Sequence, residues 1–472
     1  MQHVKWQVII LAENLKASGD SDKIAIDLKN MFKSILSVDY PPDVNINICV
    51  HTDFGVGDLF DTNFQNNQLN IQDGAGLRIF RLLSNQITAN QLPQGSVLTL
   101  SSGIQSLQLL ENKTDITLSS EETVTAAFLR CNEDVSFEKS IILTFDHANA
   151  FGMFKDKFIK IRKLNKENGW VETEWKVKSR FSINYYNPQK PVFPFKRIPP
   201  GSKSGDLSPY FTMDELARAI EASFPKKKAD LVIMLNCFMM SMDTLFALKF
   251  TVDFLVAPQT SICFYGYHYN AIFSALAQDF SLITPEELCR LAVKSIAFSP
   301  EYSKYPKYLG KLALYGADLS VFREGIITER ENKLFEIIHT ADQQIIDKCK
   351  EARKKIWSLS FTASLSLRVS LIDTIGWFEK CAPILQNESF NQLLIELKES
   401  IQKMIGGINP ISYIGSTIPT MKKMPSNGTS NFIPFRSTQL AYPCFEWFYF
   451  KQSSTYADQS DLKKYLIRAY NP

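Results

Sequence analysis

The feature that most restricts the fold is a pair of near-continuous apolar runs, IILTF at Ile141 to Phe145 and LVIML at Leu231 to Leu235. A strand with one face in water alternates apolar and polar side chains, whereas a strand covered on both faces does not. Each run follows a segment with helical apolar spacing, Glu121 to Arg130 and Thr212 to Phe224, and Thr212 with Glu215 has the spacing of a capping box. The chain opens in the same way, with Lys5 to Ala12 as strand, Asp22 to Ser37 as helix and Val44 to His51 as strand. This alternation predicts an α/β domain over residues 1–280, a mostly parallel sheet flanked by helices.

A basic insert interrupts the pattern. From Lys155 to Asp206 there are 13 Lys and Arg against 5 Asp and Glu, a net of +8 in a chain whose total is +3. Val171, Thr173, Trp175 and Val177 alternate with polar residues, and KENG before them supplies turn residues, so a β-hairpin is expected. The insert then runs into NPQKPVFPFKRIPPGSKSGD, whose Pro, Gly and Lys content marks an exposed loop. An activation loop, an autoinhibitory flap, a docking site for an acidic partner and a plain solvated excursion all fit this composition. Aromatic residues are not regularly interleaved with the charges, which argues against nucleic acid as a partner. From residue 281 to 472 the pattern is mainly helical, with Thr284 to Ala297, Thr328 to Ile356, Ser389 to Met404 and a last short helix at Leu462 to Ala469. A Gly-, Pro- and Ser-rich loop is expected at 406–430.

Composition removes several classes of protein. With 472 residues, 45% of them apolar, the chain can build a large core and is neither disordered nor fibrous. Two stretches lack charge, Leu82 to Leu110 and Phe254 to Gln278, but each carries Asn, Gln, Pro and Gly, so no membrane span is expected. The N-terminal segment MQHVKWQVIILAENLK reads as a first strand and not as a signal peptide, which points to the cytoplasm. The 8 cysteines form no CxxC pair, against both a disulfide scaffold and structural zinc. There is no GxxxxGK[ST] loop, no GxSxG elbow and no HExxH.

What remains is positional. His147 stands just after one apolar run and Cys237 just after the other. Reactive groups of open parallel sheets collect at the carboxyl ends of strands, so neighbouring strands would bring these two side chains together. A thiolate nucleophile with a proton donor for the leaving amine is the minimum set for thiol acyl transfer. Buried, inert cysteine is the competing reading of Cys237.

The surroundings of both residues resemble the clostripain-like cysteine peptidases, of the caspase and haemoglobinase fold. Asp146 to Gly152 (DHANAFG) is similar to the family's His motif, and Leu235 to Asp243 (LNCFMMSMD) to its Cys motif. Asp253 to Thr260 (DFLVAPQT) and Gly266 to Tyr269 (GYHY) follow in the family's order, and the opening KWQVIILAEN and the SNGTSNFIPF segment also match its ends. The resemblance implies a caspase-like sheet and a peptidase in which Cys237 attacks the peptide carbonyl and His147 protonates the leaving amine. It places the oxyanion hole at the backbone N–H groups of Cys237 and Ala148. The S1 pocket would fall at Leu235, Phe264, Tyr265 and Gly266, where the family's acidic positions are held by Leu235 and Tyr265. A cationic P1 side chain would find no carboxylate there, so the resemblance implies a non-basic, apolar P1 residue.

It also implies a protein or peptide substrate; the N-terminal segment, read as a strand and not a signal peptide, leads to the expectation of a regulated intracellular enzyme, of which an activator of a gasdermin-like effector is an example by analogy. No redox cofactor is required. Calcium is associated with some relatives, but no DxDxDG-type loop is present to hold it. The rival is a pseudopeptidase, an interaction module whose departures at Ala148, Leu235 and Pro258 record lost catalysis. Natural substrate and oligomeric state are not encoded in any motif.

Overall fold

The computed structural model describes residues 2–15, 31–52, 76–83, 97–99, 106–113, 120–146, 158–165, 169–176, 213–235, 239–260, 266–300, 312–353, 356, 371–406, 427–433 and 455–470. A nine-stranded sheet organises them. Its strands are β1 (Gln2–Leu15), β2 (Val44–Thr52), β3 (Gly76–Leu83), β4 (Val97–Thr99), β5 (Ser106–Lys113), β6 (Val135–Asp146), β9 (Ala229–Met234), β10 (Val252–Pro258) and β11 (Leu314–Asp318). The intervening β7 (Phe158–Asn165) and β8 (Gly169–Lys176) pair antiparallel as a separate hairpin, inside the basic insert where alternation predicted one.

The order across the sheet is β11-β10-β9-β6-β1-β2-β3-β5-β4. The central strands β2, β1, β6, β9 and β10 are mutually parallel. Antiparallel strands finish both edges, β3, β5 and β4 on one side and β11 on the other. Sequence reading draws the sheet region to residue 280, and β11 at Leu314–Asp318 lies beyond that line. Its five residues, LYGAD, sit in a region of helical pattern, and pairing with β10 is a tertiary choice that no local signal announces.

Side-chain alternation explains the continuous apolar runs. In β1, Ile9 and Leu11 join one core while Val8, Ile10 and Ala12 join the other; in β9, Val232 and Met234 face the first and Leu231 and Ile233 the second, joined there by Leu235 just after the strand. Both faces are therefore buried, each side chain contributing roughly 1.5–3 kcal/mol. Residues 31–36 (α1), α5 (Tyr269–Gln278) and α6 (Pro285–Ser295) cover the second face. On the first face lie α2 (Ser120–Asn132), α3 (Met213–Ser223), α4 (Met242–Leu248) and the C-terminal helices. The Thr212 cap lies outside the described residues, whereas α6 carries a capping box between Thr284 and Glu287.

The C-terminal helices are α7 (Leu319–Arg323), α8 (Ile326–Thr340), α9 (Gln343–Arg353), α10 (Thr374–Leu385), α11 (Glu388–Gly406), α12 (Thr455–Gln459) and α13 (Asp461–Tyr470), with a two-stranded sheet of β12 (Leu371–Asp373) and β13 (Ser430–Phe432). The helix expected over Thr328 to Ile356 is divided. Thr340 donates its hydroxyl to the Glu336 carbonyl at 2.7 Å, Ala341 is extended (φ −65°, ψ 167°), and a new helix starts with the Ile346 N–H on the Asp342 carbonyl. Phe335, Trp377, Phe378 and Tyr465 lock α8, α10 and α13 together, with ring centroids 5.0 Å apart for Phe335–Phe378 and for Trp377–Tyr465.

Candidate active site

The carboxyl ends of β6 and β9 lie side by side. Ile141, Ile142, Leu143 and Thr144 of β6 pair with Leu231, Val232, Ile233 and Met234 of β9, an offset of 90 at every pair. The ladder continues one step further, because the Leu235 N–H donates to the Thr144 carbonyl at 3.0 Å. His147 follows the last residue of β6, and the separation of His147 from Cys237 equals that same offset of 90. Both residues, with Ala148, Phe264 and Tyr265, lie outside the described residues. What is described is the frame on either side of them.

Two S1 candidates belong to that frame. Leu235 is buried in the core of the second face, in line with Leu231 and Ile233. Gly266 is buried and adopts φ +56°, a conformation that strains any residue with a Cβ. The next residue, Tyr267, donates its hydroxyl to the Met234 carbonyl at 2.9 Å, so this turn is tied to the end of β9 beside Leu235. Met240 is fully buried on the opposite face of the sheet, and Met239 packs partly buried against the same core. Leu235 and Met240 are thus members of different cores.

After the Cys position the chain crosses to β10. The Met240 N–H donates to the Pro258 carbonyl at 3.0 Å, and Ser241 caps α4 by accepting from the Thr244 N–H at 3.2 Å. The Met240 carbonyl in turn accepts from both the N–H and the hydroxyl of Ser430, each at 3.1 Å. Sequence reading missed this group of residues. Gln259, immediately after β10, donates from Nε2 to Asp373 Oδ2 at 2.9 Å and to the Thr429 carbonyl at 2.6 Å. Asp373 also accepts from the N–H of Gly376 (2.6 Å), the N–H of Asn427 (2.6 Å) and Asn427 Nδ2 (2.7 Å). Burial raises its carboxyl pKa above the usual range, opposed by the bonds from Asn427, Gly376 and Gln259.

Nearby, Glu331 is fully buried and accepts from Asn431 Nδ2 and from the Tyr456 hydroxyl, the latter at 2.7 Å; burial pushes its pKa up to about 7. The one signal for these residues is that polar side chains flank apolar strands, after one in APQT and before one in NGTSN, which does not distinguish a buried clamp from a surface turn. Among the described residues no group of three His, Cys, Asp or Glu is placed to hold a metal ion, and no helix is long and apolar enough to cross a membrane.

No protein-family sequence profile matches the chain, and no curated protein matches it. Solved structures do. A secreted C11 cysteine protease from Bacteroides thetaiotaomicron, iotapain, superposes with a TM-score of 0.54 at 12% identity, covering 97% of this chain and 99% of that one. The chain has the fold of the C11 cysteine proteases. The same fold is seen in the B. thetaiotaomicron enzyme in complex with an irreversible peptide inhibitor (TM-score 0.54, 13% identity, 96% and 99% covered). An inactive zymogen C11 protease from Parabacteroides distasonis also matches, with a TM-score of 0.51 and 12% identity over 91% of this chain and 93% of that one. The C11 fold is the caspase-like α/β architecture expected from the sequence. The B. thetaiotaomicron proteins are described as secreted, so the cytoplasmic expectation gains no support from them.

Proposed function

We propose that the chain is a cysteine endopeptidase in which Cys237 attacks a peptide carbonyl and His147 protonates the leaving amine, then activates the hydrolytic water. The observation that carries this reading is the register of β6 and β9: two adjacent parallel strands run out immediately before His147 and shortly before Cys237, with the offset of 90 that separates the two residues. Adjacent carboxyl ends of parallel strands are where reactive groups of such sheets collect, which supports this reading. The C11 fold supports the same class of chemistry. The oxyanion would be held by the backbone N–H groups of Cys237 and Ala148, which supply charge stabilisation without any side chain.

For specificity, Leu235 sits among apolar side chains, with Gly266 in a turn tied to the same strand end. With Phe264 and Tyr265 these residues fit an apolar P1 side chain, because a buried cation there would lack a carboxylate. The substrate is a protein or peptide, and the biological role proposed with it, by analogy with caspase-like proteases, is regulated cleavage of one or a few protein partners, such as a gasdermin-like effector.

The test is incubation of wild-type, Cys237→Ala and His147→Ala proteins with a peptide mixture, reading cleavage sites by mass spectrometry. Cleavage after apolar residues by wild type alone is expected. Cleavage after Arg or Lys would keep the dyad and overturn the pocket assignment. Equal turnover by Cys237→Ala would overturn the nucleophile assignment, and no cleavage by any of the proteins would overturn the peptidase and favour the interaction-module reading.

A further inference from the structure

The residues around Cys237 are anchored at two points of different origin. Upstream, Leu235 is held by the β6 ladder through the Thr144 carbonyl. Downstream, Met240 is held by Pro258 at the end of β10 and by Ser430, which lies in β13 almost two hundred residues later in the sequence. Residues 236–239 span the interval between these anchors. The position of a nucleophile on so short a span follows the position of its ends, and a displacement on the order of 1 Å costs on the order of 100-fold in rate.

The downstream anchor has its own support. Ser430 pairs with Asp373 in the β12–β13 ladder and forms a bridge to Ser241. The Thr429 carbonyl accepts from the Thr374 N–H at 3.1 Å as well as from Gln259 Nε2. Gln259 is itself fixed by its own N–H on the Ala313 carbonyl at 2.8 Å. Asp373, Gln259, Thr429 and Ser430 are each 0% exposed. The Asp373 carboxylate is the hub: four donors from Gln259, Gly376 and Asn427 converge on it, joining the strand-end loop to two separate C-terminal segments.

We propose that Asp373, acting through Gln259 and the Thr429–Ser430 strand on the Met240 carbonyl, is a positioning residue for the Cys237 nucleophile. The helical C-terminal region is then part of the catalytic unit and not an appendage, because half of the nucleophile's support comes from it. This rests on the reading of Cys237 as nucleophile. It assigns to buried amide and hydroxyl groups a role that a packing contact cannot fill, since hydrogen bonds fix the direction of a carbonyl and apolar contacts do not.

The experiment compares wild type with Gln259→Leu, which removes both Nε2 bonds, and with Ser430→Ala, which removes one hydroxyl and leaves the backbone N–H bond in place. Each is assayed with the peptide that wild type cleaves best, and the alkylation rate of Cys237 by iodoacetamide is followed against pH. The expected result is a fall in kcat of about tenfold or more for Gln259→Leu and a smaller fall for Ser430→Ala, at unchanged KM, with a shifted alkylation profile for both. Should Gln259→Leu fail to fold, Ser430→Ala decides by itself. Wild-type kcat and an unshifted profile in the folded variants would overturn the positioning role while leaving the peptidase reading intact. Absence of Cys237-dependent cleavage by wild type would overturn both.

Discussion

The parallel centre of the sheet and the C-terminal region are stabilised in different ways. In the centre, each strand repeats the same backbone ladder, and the side chains that fill both faces are interchangeable in kind, such as Ile141, Ile142, Leu231, Val232 and Ile233. In the C-terminal region a few long-range polar contacts carry the assembly: Asp373 with Gln259 and Asn427, Glu331 with Asn431 and Tyr456, and Arg353 Nε with the Ile433 carbonyl at 2.6 Å. Burial pushes the Arg353 pKa down to about 10, and Glu331 is pushed up to about 7. Stability spread over many equivalent contacts tolerates change at any one of them. Stability concentrated in buried donors and acceptors does not, because removing one partner leaves the others without water or protein to bond.

The largest effect is expected at the hub. Asp373→Leu strips the acceptor from four donors, the buried ones of Gln259 and Gly376 and the half-buried pair of Asn427, and should lower unfolding free energy on the order of 4 kcal/mol in urea titration. If it cost no more than a sheet substitution, the contrast between the two regions would fail. Next comes pH. Glu331 keeps its proton in the folded chain up to about 7, against 4.5 for the free side chain. Protonation therefore contributes stability that is fully present below 4.5 and lost as the pH rises through about 7, roughly 3 kcal/mol over that window. Glu331→Gln should flatten this dependence and be more stable than wild type at pH 8; parallel pH curves for the two proteins would argue that the carboxyl is ionised throughout.

The smallest effects mark the tolerant side and the local geometry. Ile142→Val should cost about 1 kcal/mol, measured as a shift of the denaturation midpoint at constant slope. Gly325 has φ +79° before α8 and nothing within 4 Å of an added Cβ, so Gly325→Ala should cost about 1 kcal/mol from backbone conformation alone. A cost well above that would mean the turn is coupled to the polar network of α8.

The order of the blocks is legible in the chain itself because a buried parallel strand needs a continuous apolar run, and a crossover needs a helix between two of them. That reasoning locates β1, β2, β6, β9 and their helices, and it singles out His147 and Cys237 as residues that follow two of the apolar strand runs. Apolar periodicity also places α11 and α13 within a few residues. Which strands are neighbours, and in what register, came only from the tertiary structure, since IILTF would pair equally well with several partners. The same holds for β11, for the division between α8 and α9, and above all for the clamp of Gln259, Asp373, Asn427, Thr429 and Ser430. A short polar side chain carries no periodic signal. Whether it is solvated or buried is decided by what the rest of the chain brings against it, here across as many as 170 positions between Gln259 and Thr429.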